Sequence, residues 1–341
     1  MYRYTFRSDE SSSAVPEADS TLTEYKHLFT LFIVLQLFSL VSMIIILLTA
    51  SVSSLVKKRH LSWSNFTATW IFSCISYSLL VGAPITWQPK YALCLTQAAL
   101  VYTVPTLTAC STLALVIQIL ITVCSFATTS PKNAGSASHR LSTFVLFVFP
   151  YLCGGGMFVL SLTIGLKDRS VVARAPGGFY CNMTNTLPGR LSAVIVTVIM
   201  IICIYLDVYI CVILRRHWHI VSGNLQASLA TVMRVLVFSA VSVVAVMLGL
   251  VFFFMPLSKH GPGLELVLSL LSFGVVLVFG TQKDLVQSWN TGFQACFHSI
   301  QTGCQMLISL QRQPRRHGMR PYSISSQESM ITQTSVNITL A

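Results

Sequence analysis

The stretch CLTQAALVYTVPTLTACSTLALVIQILITVC, residues 94–124, carries no charged residue over its whole length. As an α-helix rising about 1.5 Å per residue, it would be about 45 Å long, which exceeds the ~30 Å hydrocarbon core of a bilayer. We therefore predict a tilted membrane-spanning helix at this position. Similar apolar stretches lie on both sides of it in the sequence.

The composition of the whole chain favours a membrane protein with several spans. Of its 341 residues, 54% are hydrophobic and 9% are charged, whereas soluble domains carry about 25% charged residues. The net charge of +12 would suggest nucleic acid in a soluble chain, but beside apolar spans it indicates basic cytoplasmic flanks. We expect no nucleic-acid partner. The cysteines and histidines show no metal-ligand spacing, so we expect neither a metal nor another cofactor.

Apolar stretches of membrane-spanning length recur along the chain. They predict seven spans, numbered one to seven, at residues 27–53, 61–85, 94–124, 141–165, 191–214, 229–255 and 264–282. The predicted fold is an all-α membrane protein, with a seven-helix transmembrane bundle over residues 27–285. A polar, extracellular N-terminal tail over residues 1–26 precedes the bundle.

The charges around predicted span one set the orientation. Lys57, Lys58 and Arg59 follow this span, whereas Lys26 alone lies close to its start. Because basic residues concentrate on the cytoplasmic side, we predict an N-terminus outside the plasma membrane and a C-terminus inside. The loop 166–190 is then extracellular, and its sequon makes Asn182 a candidate for glycosylation.

The sequence after predicted span seven suits the membrane interface. Residues 286–310 carry an apolar stripe at helical spacing, formed by Phe293, Cys296, Phe297, Ile300, Cys304 and Leu307. We predict an amphipathic helix lying in the interface plane, with Cys296 and Cys304 as palmitoylation candidates. The Ser/Thr-rich residues 311–341 predict a disordered cytoplasmic tail.

Two charges lie deep within apolar sequence. Asp207 precedes Arg215 by eight residues, about 12 Å along predicted span five, and Arg234 lies at a similar depth in predicted span six. An unpaired charge inside a bilayer costs at least about 2.5 kcal/mol, which favours a pair joining the two helices as a switch. The alternative is that both helices extend beyond the bilayer and the two charges are hydrated.

This layout resembles the G-protein-coupled receptor superfamily over residues 27–310. The resemblance rests on the seven spans, the cysteine that begins the third, a second cysteine in the next outer loop and the amphipathic eighth helix. The run FGTQKDL at 279–285, followed by Trp289, is similar to the end of the seventh helix in uncharacterised proteins of basidiomycete fungi. Those proteins are loosely grouped with fungal pheromone receptors.

The resemblance implies a receptor that transmits binding of an unknown extracellular ligand to a heterotrimeric G protein. It implies a disulfide between Cys94 and Cys181, and it places Trp87, Gln97, Tyr102 and Thr106 where a ligand pocket would lie. Aromatic and polar residues at this depth also serve as simple interface anchors. The chain departs from rhodopsin-like receptors in lacking Asp/Glu-Arg-Tyr and Asn-Pro-x-x-Tyr. The switch residues of that class are therefore not carried over.

Other classes of seven-helix protein fit less well. A transporter without G-protein coupling is the alternative, although transporters place ionisable residues or broken helices near the midplane. A retinal protein needs a lysine midway along its seventh helix, and residues 266–282 contain none. We do not expect an enzyme, because no metalloprotease motif or paired intramembrane carboxylates occur in the sequence.

Overall fold

The computed structural model describes residues 15–52, 61–82, 89–127, 136–174, 180–216, 262–282 and 285–291, with scattered positions between 240 and 254 and between 294 and 302. The chain forms two units, residues 1–290 and 291–341, and the first contains every element described below except Thr291, the last residue of the segment after α6. Most of the predicted interfacial helix lies outside the described residues, as do Cys296 and Cys304.

The described part is almost entirely helical. Its helices are α1 (Val15–Val52), α2 (Leu61–Ser78), α3 (Tyr91–Ala127), α4 (Ser136–Lys167), α5 (Thr186–Arg216) and α6 (Pro262–Gly280). Helices α1 to α5 correspond to predicted spans one to five, and α6 corresponds to predicted span seven. A further helical segment, Leu285–Thr291, follows α6 after a bend of 69°.

Among the described residues, four helical segments are long and apolar enough to cross a membrane. They are His27–Val52, Tyr91–Cys124, Thr143–Lys167 and Thr186–Arg216, and a fifth results if α6 and the bent segment after it form one span. The chain is therefore an α-helical membrane protein. The count of seven stays a prediction, because α2 is rich in Ser and Thr and predicted span six lies largely outside the described residues.

The start of α1 and the end of α2 differ most from the predicted boundaries. Helix α1 begins at Val15, within the segment predicted as a tail, and Pro16 in its first turn has the fixed φ that favours a helix start. Helix α2 ends at Ser78 instead of residue 85. The amide of Val81 donates to the carbonyl of Ser78, and Gly82 adopts a φ of 87°, a conformation that glycine accommodates most readily.

Helix α3 is the central element of the bundle. Of its most apolar window, 67% is buried inside the protein, compared with 22–28% for the spans of α1, α4 and α5. It packs against α2, α4 and α5 and also contacts the strands that follow α4. The prediction of a membrane-length helix over residues 94–124 is confirmed.

A short hairpin covers one end of α3. Strands β1 (Val172–Arg174) and β2 (Cys181–Met183) pair antiparallel, with Val172 opposite Met183 and Arg174 opposite Cys181. A 3-10 turn, Arg169–Val171, links α4 to β1. We call the end of the bundle that carries this hairpin the hairpin end, and the opposite end the far end.

Helix α4 approaches α3 closely at a glycine. A Cβ atom on Gly154 would lie 3.2 Å from the Cβ atom of Leu107, tighter than most contacts between side chains. The neighbouring Gly155 and Gly156 are exposed, and a Cβ atom on either would meet nothing within 4 Å. One glycine of the triplet therefore permits the close packing that small residues favour between membrane helices.

An apolar cluster closes the bundle at the far end. We call it the far-end cluster, and it comprises Met43, Ile46, Trp63, Phe66, Leu115, Val275, Val276, Phe279 and Leu285. Trp289 packs against it and donates a hydrogen bond from Nε1 to Oγ1 of Thr49, at 3.0 Å. The segment after α6 is thereby attached to α1.

Candidate functional site

The hairpin is linked covalently to the central helix. Cys94, in the first turn of α3, forms a disulfide with Cys181 of β2, with their Cα atoms 5.2 Å apart. Both residues are buried. The pairing that the resemblance implied is the pairing present in the structure, and it holds β2 against the hairpin end of α3.

Gln97 joins three elements through its amide group. Its Oε1 accepts a hydrogen bond from the backbone N–H of Cys181 at 3.0 Å, and its Nε2 donates to the carbonyl of Ser76 at 3.3 Å. The side chain is fully buried. One turn beyond the disulfide, Gln97 therefore attaches β2 to both α2 and α3.

Tyr102 binds Met183, two residues further along the same strand. Its hydroxyl accepts from the backbone N–H of Met183 at 3.2 Å and donates to the carbonyl of Met183 at 3.3 Å. We call the Cys94–Cys181 disulfide, Gln97 and Tyr102 the hairpin clamp. Because Met183 makes both bonds with one hydroxyl, the clamp fixes the position of β2 along α3.

Thr106 extends these contacts to α5. Its hydroxyl lies 3.3 Å from that of Ser192, which in turn donates to the carbonyl of Tyr102 at 3.0 Å. Three of the four predicted ligand-binding residues thus lie together in the half of α3 nearer the hairpin, and the fourth, Trp87, lies outside the described residues. Because their polar groups make internal hydrogen bonds, a ligand contacting them would have to exchange those bonds.

Tyr180 is a contact residue that the sequence analysis missed. It precedes Cys181, is 8% exposed, and packs edge-to-face on Tyr77 with ring centroids 5.8 Å apart. Tyr77 packs in the same way on Phe32 of α1 at 6.4 Å. An aromatic residue beside a loop cysteine was the available signal, since the disulfide must bring that residue into the bundle.

The exposed surface around the hairpin is basic. Lys90, Lys167, Arg169 and Arg190 are exposed there, and the Arg169 guanidinium lies 5.4 Å from the centre of the Tyr91 ring. Asp168 accepts hydrogen bonds from the hydroxyl and the backbone N–H of Ser170, which lower the pKa of its carboxyl group. This surface accordingly carries more positive than negative charge at neutral pH.

Asp207 lies inside the protein, on the buried face of α5. It is 1% exposed and belongs to a buried stripe with Met200, Cys203, Ile210 and Leu214. Apolar contacts between α3 and α5 lie on both sides of it along the helix. Asp207 is therefore shielded from the bulk solvent. Its predicted partner, Arg234, lies outside the described residues, so the pair stays a prediction.

The glycosylation candidate occupies the middle of β2. Asn182 lies opposite Ala173 and is half-buried, whereas Thr184 of its sequon is exposed. Its modification stays a prediction. Within the described ranges, no group of three His, Cys, Asp or Glu side chains is arranged to hold a metal ion.

Comparison with known proteins gives no relative from which a role could be transferred. The chain matches no protein-family model and no curated protein. A functional assignment therefore depends on the residues and contacts of the chain itself.

Proposed function

We propose that the chain is a seven-helix cell-surface receptor of the G-protein-coupled type. Its N-terminus would lie outside the plasma membrane, with the hairpin end facing the extracellular ligand. The far end would face the cytoplasm and bind a heterotrimeric G protein. The basic turn Lys57–Arg59 supports this orientation, since such turns concentrate on the cytoplasmic side.

The hairpin clamp is the observation that carries this proposal. It joins a loop between helices to the most buried helix of the bundle through a disulfide and the side chains of Gln97 and Tyr102. Through Ser192 the same contacts reach α5. A ligand that moves the hairpin would therefore act directly on the packing of α3 against α5. Ligand binding at one end would change the other end by shifting the equilibrium between two such packings.

Asp207 supplies a candidate for the switch at the far end. It lies on the face of α5 that packs towards α3, in the half of the helix that ends at Arg215 and Arg216. We propose that it pairs with Arg234 and that the pair holds predicted spans five and six together until activation. A buried ion pair suits this role because the loss of one partner leaves a costly uncompensated charge.

Basal nucleotide exchange tests the receptor function without a known ligand. The full-length chain in lipid nanodiscs is mixed with a panel of purified heterotrimeric G proteins. The rate at which each G protein binds GTP is compared with its rate in the presence of empty nanodiscs. We expect GTP binding above the background for at least one G protein, and we expect Asp207→Asn to change the rate of this binding. Tyr205→Phe is the matched control, because Tyr205 lies on the exposed face of the same helix.

The transporter alternative makes a different prediction for the same preparation. A transporter without coupling would leave GTP binding at the background with every G protein. It would instead move solute across the membrane of proteoliposomes. That combination would contradict the receptor proposal.

A charge-swap cycle tests the proposed pair separately. We expect Asp207→Arg with Arg234→Asp to recover part of the expression and basal coupling lost in each single variant. Independent sites show coupling energies of only about 0.3–0.5 kcal/mol. Effects that add within this range would mean that the two residues do not interact.

A further inference from the structure

The buried face of α1 becomes polar in the middle of the helix. This face is formed by Phe32, Gln36, Ser39, Met43 and Ile46, spaced alternately four and three residues apart. Gln36 is 1% exposed and Ser39 is fully buried. Two consecutive positions of an otherwise apolar stripe thus point polar groups into the bundle.

Apolar packing closes this polar stretch on both sides. Towards the hairpin end, Phe32 packs with Tyr77 and Val104. Towards the far end, Met43 and Ile46 belong to the far-end cluster. The polar groups of α1 are therefore separated from both ends of the bundle by packed side chains.

Helices α2 and α6 bring further polar groups to the same level. Met43 of α1 and Val276 of α6 share the far-end cluster, and Ser39 and Ser272 each lie one turn closer to the hairpin end. Ser272 is buried and hydrogen-bonds with the thiol of Cys74, a fully buried residue of α2. We call Gln36, Ser39, Cys74 and Ser272 the polar layer.

The α1 side of this layer is not satisfied by any described residue. Neither Nε2 nor Oε1 of Gln36 has a hydrogen-bond partner among the described residues, and the same holds for Oγ of Ser39. An amide can donate two hydrogen bonds and accept two, and a hydroxyl can donate one. Buried polar groups of this kind are almost always paired, because leaving them unpaired is costly.

We infer that the polar layer binds a small, neutral guest that both donates and accepts hydrogen bonds. Its neutrality follows from the layer itself, which consists of an amide, two hydroxyls and a thiol and contains no carboxylate to hold a cation. In an aqueous preparation, water is the molecule that fits this description. Two to four polar partners suffice to hold one water molecule. The inference does not depend on the receptor proposal.

Radiolytic labelling tests this inference with water as the probe. Hydroxyl radicals made by X-rays from bound water oxidise methionines that lie beside that water. We expect Met43, which lies one turn from Ser39, to be oxidised faster than Met200 in the full-length chain. Met200 is the control because it lies in an apolar cluster and is slightly more exposed, at 6% against 1%. Oxidation of Met43 no faster than that of Met200 would overturn the inference.

A double variant provides a second, independent measurement. Gln36→Leu with Ser39→Ala removes the unsatisfied groups while keeping most of the side-chain volume. If a guest satisfies them, the variant loses the rapid oxidation of Met43 and its melting temperature falls by about 2–4 °C. A higher melting temperature with unchanged oxidation of Met43 would overturn the inference. If the variant does not fold, the comparison of Met43 with Met200 in the unaltered chain still decides.

Discussion

Tyr102→Phe isolates the contribution of the hairpin clamp to stability. The substitution keeps the ring and removes only the hydroxyl that bonds both backbone groups of Met183. Leaving a buried donor or acceptor unsatisfied costs about 1–3 kcal/mol. The two distances, 3.2 and 3.3 Å, lie at the long end for hydrogen bonds. We therefore take the lower value, about 1 kcal/mol, for each of the two hydrogen bonds and expect a loss of about 2 kcal/mol in the free energy of unfolding.

The melting temperature of the purified chain measures this loss. At about 2–4 °C per kcal/mol, the melting temperature should fall by about 4–8 °C. Tyr205→Phe makes the same chemical change at a position that is 70% exposed, and it should change stability by less than about 0.5 kcal/mol. In Tyr102→Phe, reductant should also open the Cys94–Cys181 disulfide faster. If the two variants have the same melting temperature and their disulfides are reduced at the same rate, the clamp does not hold the hairpin.

Two further predictions concern α4 and the turn after it. Gly154→Val should destabilise the chain by about 1–3 kcal/mol, because its side chain would crowd Leu107, whereas Gly155→Val should be tolerated. Thermal unfolding of the two variants measures the difference, and equal melting temperatures would contradict the close approach of α3 and α4. The pKa of the Asp168 carboxyl is lowered in the folded protein, so the ionised carboxylate stabilises the turn above pH 3.8, its ordinary pKa. This stabilisation is lost as the pH falls through the lower pKa of the folded protein. Hydrogen exchange at the Ser170 amide should therefore differ from that in Asp168→Asn at neutral pH and converge with it in acid, and a constant difference would refute this.

Sequence patterns predicted the apolar helices well because burial in lipid requires long uncharged runs. Predicted span seven, for example, extends over 264–282, and α6 is Pro262–Gly280. Predicted span two was less accurate, because its residues 61–78 are rich in hydroxyls and its end depends on the backbone of Gly82. An apolar window does not detect a turn that one glycine conformation determines.

The hairpin could not be predicted, because its strands have only three residues each. Strands of this length carry no usable alternation, and their position depends on tertiary contacts with Cys94, Gln97 and Tyr102. The sequence did place Gln97, Tyr102 and Thr106 together in the N-terminal half of α3. Their bonding partners are backbone groups of β2 and a hydroxyl of α5, and such partners leave no pattern in a sequence.

The contact between α1 and the end of the described bundle has a consequence for biosynthesis. Met43 and Ile46 of α1 pack against α6, and Thr49 accepts its hydrogen bond from Trp289. The ribosome makes α1 first and these partners much later. During synthesis the part of the α1 face that packs against α6 must therefore stay uncovered until α6 enters the membrane. Chains truncated before α6 would keep that face open and present it to membrane quality control.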